Sequence, residues 1–141
     1  MMSLDAKIEY LKMIQAVVTR MSHYGFLLKG WGVTLIAALL ALAAESSKPD
    51  LLLIGLFPAL VFWALDAFFL RTERNYRALY RRAVDLQPET VDFDLSPAGE
   101  HTRETPPLWR IMLSRTLLVF WLSLVFVLVL GYGMIEGSQN Q

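Results

Sequence analysis

The chain has 141 residues, room for one small domain, with 55% hydrophobic residues, 18% charged residues and no net formal charge. Long apolar runs separate the charge into blocks, which is the pattern of an integral membrane protein and not of a soluble fold. Neutrality leaves no global field to draw in nucleic acid, and the lack of cysteine removes disulfides, thiol catalysis and cysteine metal sites.

Residues 1–25 read as a cytoplasmic amphipathic helix. Ser3 is placed to cap it, and Leu4, Ile8, Leu11, Ile14, Val18 and Met21 step by three and four to form one apolar face. Charge mixed through residues 3–24 argues against a secretory signal. Gly25 is expected to break this helix before the first span, residues 26–44. In that span Gly30, Thr34, Ala37, Ala38 and Ala41 recur at helical spacing. Small residues let helices approach closely in lipid, so this span is expected to sit inside a bundle. Residues 45–50 form a short polar turn, with Pro49 placed to start the next helix.

Residues 51–70 are the second span. Its 20 residues carry one charge, Asp66, and as a helix they measure about 30 Å, the thickness of a hydrocarbon core. Pro58 removes one backbone hydrogen bond and is expected to kink the rod. No Pro or Gly falls between Leu70 and Val84, so the same helix should continue over residues 71–84 as an Arg-rich cytoplasmic extension. Residues 85–116 are a Pro-rich loop and lead-in. Within it Val91 to Leu95 alternates apolar and acidic residues, a short strand pattern that needs a pairing partner, such as the same strand of a second subunit. Residues 117–135 make the third span, apolar all round and expected to face lipid on most sides. Residues 136–141 are a polar tail.

The fold class is therefore an all-α membrane protein with three transmembrane helices. Lys and Arg number four up to Lys29 and eight over residues 71–115, against Lys48 alone in the turn and none in the tail. That asymmetry places the N-terminus in the cytoplasm and the C-terminus in the periplasm of a bacterial inner membrane.

Lys29 and Asp66 each lie about one turn inside the same end of antiparallel spans. Charges at that depth cost a few kcal/mol and face a partner or water. They are expected to pair, within a subunit or across an interface, as a charge pair or gate, with Arg115 and Glu73 as competing partners; the alternative is that Lys29 snorkels and Asp66 bonds locally. Arg71, Arg74, Arg77, Arg81 and Arg82 occupy one arc of a helix, with Tyr76, Leu79 and Ala83 opposite. Such a stripe suits phosphate, as lipid headgroup, nucleotide or oligonucleotide, or the acidic residues of a partner or of the loop. Asp92 and Asp94 read as a solvated face, and no metal or cofactor is expected. His101 and Glu104 in a Pro-rich loop lack anything to orient them, so the chain is not read as an enzyme.

Two stretches, Phe26 to Leu35 (FLLKGWGVTL) and Phe62 to Arg74 (FWALDAFFLRTER), with Tyr76 to Tyr80 and Asp92 to Asp94 after them, resemble a family of small bacterial three-span inner-membrane proteins. The resemblance extends to membrane effectors of nucleotide-signalling antiphage systems of the Hailong type. It implies an oligomeric channel or pore-forming effector in antiviral defence, controlled from the cytoplasm by a nucleotide signal from a partner enzyme. No ligand residue comes with it. The competing reading is a non-conducting scaffold that recruits a cytoplasmic partner through residues 71–107.

Overall fold

A computed structural model describes residues 4–87, 93–96 and 105–139. Its described elements are all helical: α1 (Leu4–Ser46), α2 (Asp50–Ile54), α3 (Leu56–Asp85), α4 (Leu108–Met112) and α5 (Arg115–Gln139). Three helical stretches, α1, α2 with α3, and α5, are long and apolar enough to cross a membrane.

The amphipathic segment and the first span are one helix. α1 runs 43 residues, about 64 Å, straight through Gly25. A helical glycine costs about 1 kcal/mol relative to alanine and does not by itself end a helix. Gly25 is buried, and its missing side chain serves packing, as shown below. The buried stripe of α1 passes through Tyr10, Ile14, Val18, Gly25, Gly32, Ile36 and Ala43. Leu4 and Ile8 of the expected apolar face are exposed, because Tyr10 takes the core position at that end. Ser3 lies outside the described residues.

The turn after α1 is a Schellman cap. Ser47 adopts φ 52°, and the Lys48 N–H donates to the Ala43 carbonyl at 3.2 Å, satisfying one of the orphan carbonyls of the helix end. The chain then reverses, and α2 and α3 return antiparallel to α1. The irregularity in this rod falls at Gly55 and not at Pro58 itself. Pro58 lacks the N–H that would reach back to Ile54, so the helical ladder lapses one turn earlier, between Ile54 and Leu56. Gly55 suits the junction, since a Cβ there would lie 2.8 Å from Leu39 Cδ1.

α1 and α3 make the most extensive contact in the protein, and both continue well beyond the apolar region at the end carrying the N-terminus. There Tyr10, Ile14 and Val18 pack on Leu79 and Ala83. Tyr76, Leu79 and Ala83 thus face α1, and the arginine arc turns away. At the opposite end Ile36 and Ala43 pack on Leu52, Ala59 and Leu128. α5 is buried along one stripe only, Leu117, Trp121 and Leu128, and exposes most of the rest.

The projecting end is closed by contacts that periodicity does not reveal. Lys7 Nζ donates to the Val84 and Leu86 carbonyls, each at 2.7 Å, and so caps the C-terminus of α3 with a cation. Tyr10 Oη donates to the Asp94 carbonyl at 2.6 Å, while the Phe93 ring packs edge-on against Tyr10. Phe93 has φ 55°, a left-handed conformation that a strand cannot contain. The expected strand is therefore absent from residues 93–95; Val91 and Asp92 lie outside the described residues. Tyr10→Phe should cost about 1 kcal/mol, and Lys7→Ala about 0.5–1 kcal/mol. Both should show as faster amide exchange over residues 80–86, and unchanged exchange there would remove the capping role.

Candidate functional site

The polar centre of the molecule is a junction of three helices. Asp66 on α3 is 2% exposed although it lies within an apolar run, so its carboxylate needs partners. α1 supplies Lys29, whose Nζ lies 2.6 Å from Asp66 Oδ2 and 2.7 Å from Oδ1. α5 supplies Trp121, fully buried, whose Nε1–H donates to Oδ2 at 3.0 Å. Lys29 also reaches the Gly25 carbonyl at 3.4 Å and stands 5.9 Å from the centroid of the Phe120 ring. Its side chain keeps 27% exposure.

Two glycines of α1 make room for this arrangement. A Cβ on Gly25 would lie 3.1 Å from Asp66 Oδ1, and a Cβ on Gly32 would lie 3.0 Å from Trp121 Cη2. Both are close-approach glycines one heptad apart on the buried stripe. Every span contributes to the junction, so it holds the protomer together as well as neutralising a charge.

Lys29 and Asp66 therefore meet within one chain. The buried charges need no second copy to balance them, which removes that argument for assembly. The competing partners lie elsewhere. Glu73 accepts from Arg77 Nη2 at 2.7 Å, and the exposed Arg115, the first residue of α5, makes no ion pair among the described residues. Trp121 is the member that sequence reasoning missed. Counted as an apolar residue, it still carries one N–H, and an indole in mid-span needs an acceptor. That requirement was the available signal.

The small-residue stripe of α1 is not used inside the protomer. Thr34, Ala37, Ala38 and Ala41 are exposed, and nothing lies within 4 Å of a Cβ built on Gly30. The expectation that it packs inside the three-helix unit is corrected: Gly25, Gly32, Ile36 and Ala43 take that place, nearly half a turn away. The Thr34 hydroxyl is spent on the Gly30 carbonyl at 2.9 Å, which leaves the stripe without a free donor.

The arginines divide into distinct settings. Arg74, Arg77, Arg81 and Arg82 are exposed, and Arg71 is half-buried. Arg74, Arg77, Ala78 and Arg81 line a groove of about 230 Å³ closed on its other side by Thr105 and Pro106. Across the Arg77–Arg81 ridge a second groove, about 340 Å³, is lined by Gln15, Val18 and Tyr80. Arg77 is tied to Glu73, while Arg74 and Arg81 have no ion pair among the described residues. Two exposed, uncommitted guanidinium groups two turns apart on one face, with Arg77 between them, are disposed to bind an anion. Asp94 is described and accepts from the Ser96 N–H at 2.8 Å, an Asx turn and not a cation site. His101 and Glu104 lie outside the described residues, and among those described no cluster of metal-binding side chains occurs.

No family model, curated protein or solved structure matches the chain.

Proposed function

We propose that the protein is an oligomeric channel or pore-forming effector of a bacterial inner membrane, regulated from the cytoplasm by an anionic, nucleotide-type ligand in antiphage defence. In this reading the N-terminus and the projecting α1–α3 hairpin are cytoplasmic and the C-terminus is periplasmic, following the Lys/Arg asymmetry. The observation that carries the proposal is the outward stripe of Gly30, Thr34, Ala37, Ala38 and Ala41. Three spans cannot enclose a water path alone, and a flat small-residue face turned from its own neighbours is suited to packing against another copy.

The regulatory part rests on Arg74, Arg77 and Arg81, exposed on a rod that is continuous with the second span. An anion held there bears directly on the helix that carries Asp66.

The test combines the oligomer mass in detergent with ion flux from liposomes. Expected are a defined assembly above the monomer, and flux that changes when a nucleotide or short oligonucleotide is added. The triple variant Arg74→Gln/Arg77→Gln/Arg81→Gln should lose at least tenfold in affinity for that ligand, with the salt dependence of binding flattened. A monomer in sealed liposomes that captures a cytoplasmic protein through residues 71–107 would instead assign the protein as a scaffold.

A further inference from the structure

We propose that residues 105–112 are the arm through which an anion in the Arg74–Arg77–Arg81 groove acts on α5 and on the Asp66 junction. The inference rests on the reading of that groove as an anion site and adds the route of its regulation. The groove has two walls from different parts of the chain. Arg74, Arg77, Ala78 and Arg81 belong to α3, whereas Thr105 and Pro106 belong to the segment that leads into α5. An anion that touched α3 alone would leave the helices where they are, because α3 is one continuous rod from Leu56 to Asp85. An anion that touches both walls sets the distance between α3 and the chain entering α5.

The second wall is placed to respond. Thr105 is 8% exposed, so it is held against the protein, and it has the one hydroxyl among the lining residues. Arg74 and Arg81 are like charges with no ion pair among the described residues, and an anion between the walls draws both toward it. The link from this wall to α4 is stiff. Two successive prolines fix φ at both positions and hold the residue before each out of the helical region. Pro107 is extended, with φ −61° and ψ 156°. Its carbonyl accepts from the N–H groups of Arg110 at 3.0 Å and Ile111 at 3.3 Å, which locks α4 to it.

α4 in turn touches both neighbouring helices. At its end the Met112 carbonyl accepts from the Trp63 Nε1–H of α3 at 3.1 Å, which makes a pivot. Ile111, 1% exposed, packs with Ala67 of α3 and with Leu117 and Trp121 of α5. The turn beyond is hydrogen-bonded throughout. The Ser114 N–H donates to the Ile111 carbonyl and the Leu118 N–H to the Ser114 carbonyl, both at 2.9 Å. A shift of α4 about Trp63 therefore reaches Trp121, whose indole N–H holds Asp66.

Amide exchange over residues 108–118 of the full-length protein in nanodiscs, with and without saturating pyrophosphate at low salt, tests the arm. In wild type, pyrophosphate should slow exchange there by about fivefold or more. Arg74→Gln/Arg77→Gln/Arg81→Gln should abolish both binding and slowing. Trp63→Phe keeps an aromatic ring but removes the pivot hydrogen bond, and Pro106→Gly/Pro107→Gly loosens the link. Both leave the arginines in place, so each should bind pyrophosphate within about fivefold of wild type and lose the slowing over residues 115–118. Should the double glycine variant fail to fold, Trp63→Phe decides alone. Slowing retained in either folded variant would route the effect along α3 and overturn the arm, leaving the anion site standing. So would pyrophosphate that binds through the arginines and leaves wild-type exchange over residues 108–118 unchanged. Pyrophosphate bound no better by wild type than by the triple variant would overturn the anion reading itself, and the arm with it.

Discussion

Lys29→Met lowers stability by about 3–5 kcal/mol in mixed-micelle unfolding, the largest single effect expected in this protein, because it strands a buried carboxylate. Asp66 is 2% exposed and would be left with one hydrogen bond, from Trp121. Asp66→Leu is expected to cost less. Lys29 keeps 27% exposure and lies one turn from the end of its span, so its ammonium can swing toward the headgroups. What Asp66→Leu leaves behind is the Trp121 N–H without an acceptor, a loss of about 1–3 kcal/mol.

The double variant Lys29→Met/Asp66→Leu separates these contributions. With both charges gone, only the orphaned indole N–H remains, so the double should be more stable than Lys29→Met alone. A charge swap, Lys29→Asp with Asp66→Lys, is a poorer rescue than pairing alone would suggest. The swapped ammonium would face the Trp121 N–H, donor against donor. It would also have to fit beside Gly25, which leaves space for a carboxylate oxygen and little more. If Lys29→Met unfolds where the wild type does, the pair contributes nothing and the junction is only a packing feature.

This junction shows how far sequence alone reaches. Three apolar runs identify three spans because hydrocarbon admits little else, and the depth of Lys29 and Asp66 follows from residue counting on antiparallel rods. The arc of arginines opposite Tyr76, Leu79 and Ala83 follows from 100° per residue over a helix with no breaker. What periodicity hides is which member of a residue class does what. Trp121 counts as apolar by transfer free energy, yet its one N–H helps to fix Asp66. Gly25 has the composition of a helix breaker, but its role depends on an aspartate 41 positions away in the chain. Pro58 marks the irregularity in α3, but the break appears one turn earlier because the lost bond belongs to the Ile54 carbonyl. Tyr10 displaces Leu4 and Ile8 from the core because its hydroxyl reaches a loop carbonyl, a contact that no helical pattern encodes.

Gly32 and Gly30, two residues apart on the same helix, should respond oppositely to the same substitution. Alanine at either position gains about 1 kcal/mol in helix propensity, so any difference between them reports surroundings and not backbone. At Gly32 the new Cβ would lie 3.0 and 3.1 Å from two atoms of the Trp121 ring. That ring is fully buried and tied to Asp66 through its nitrogen, so it cannot turn aside without breaking the junction. Gly32→Ala is therefore expected to cost about 1–3 kcal/mol net, and Gly32→Leu to push α5 off α1 altogether. At Gly30 the Cβ meets open space, so Gly30→Leu keeps the propensity gain and should leave the protomer as stable as wild type or up to about 1 kcal/mol more stable. The effect of Gly30→Leu is expected in the assembly: a leucine raised on the small-residue stripe holds a second helix away, and the oligomer should dissociate at protein concentrations at least about tenfold higher than wild type. Sedimentation in detergent reads the assembly while unfolding reads the protomer. An oligomer unchanged by Gly30→Leu would show that copies meet on some other face, and the stripe would be a lipid-facing surface only.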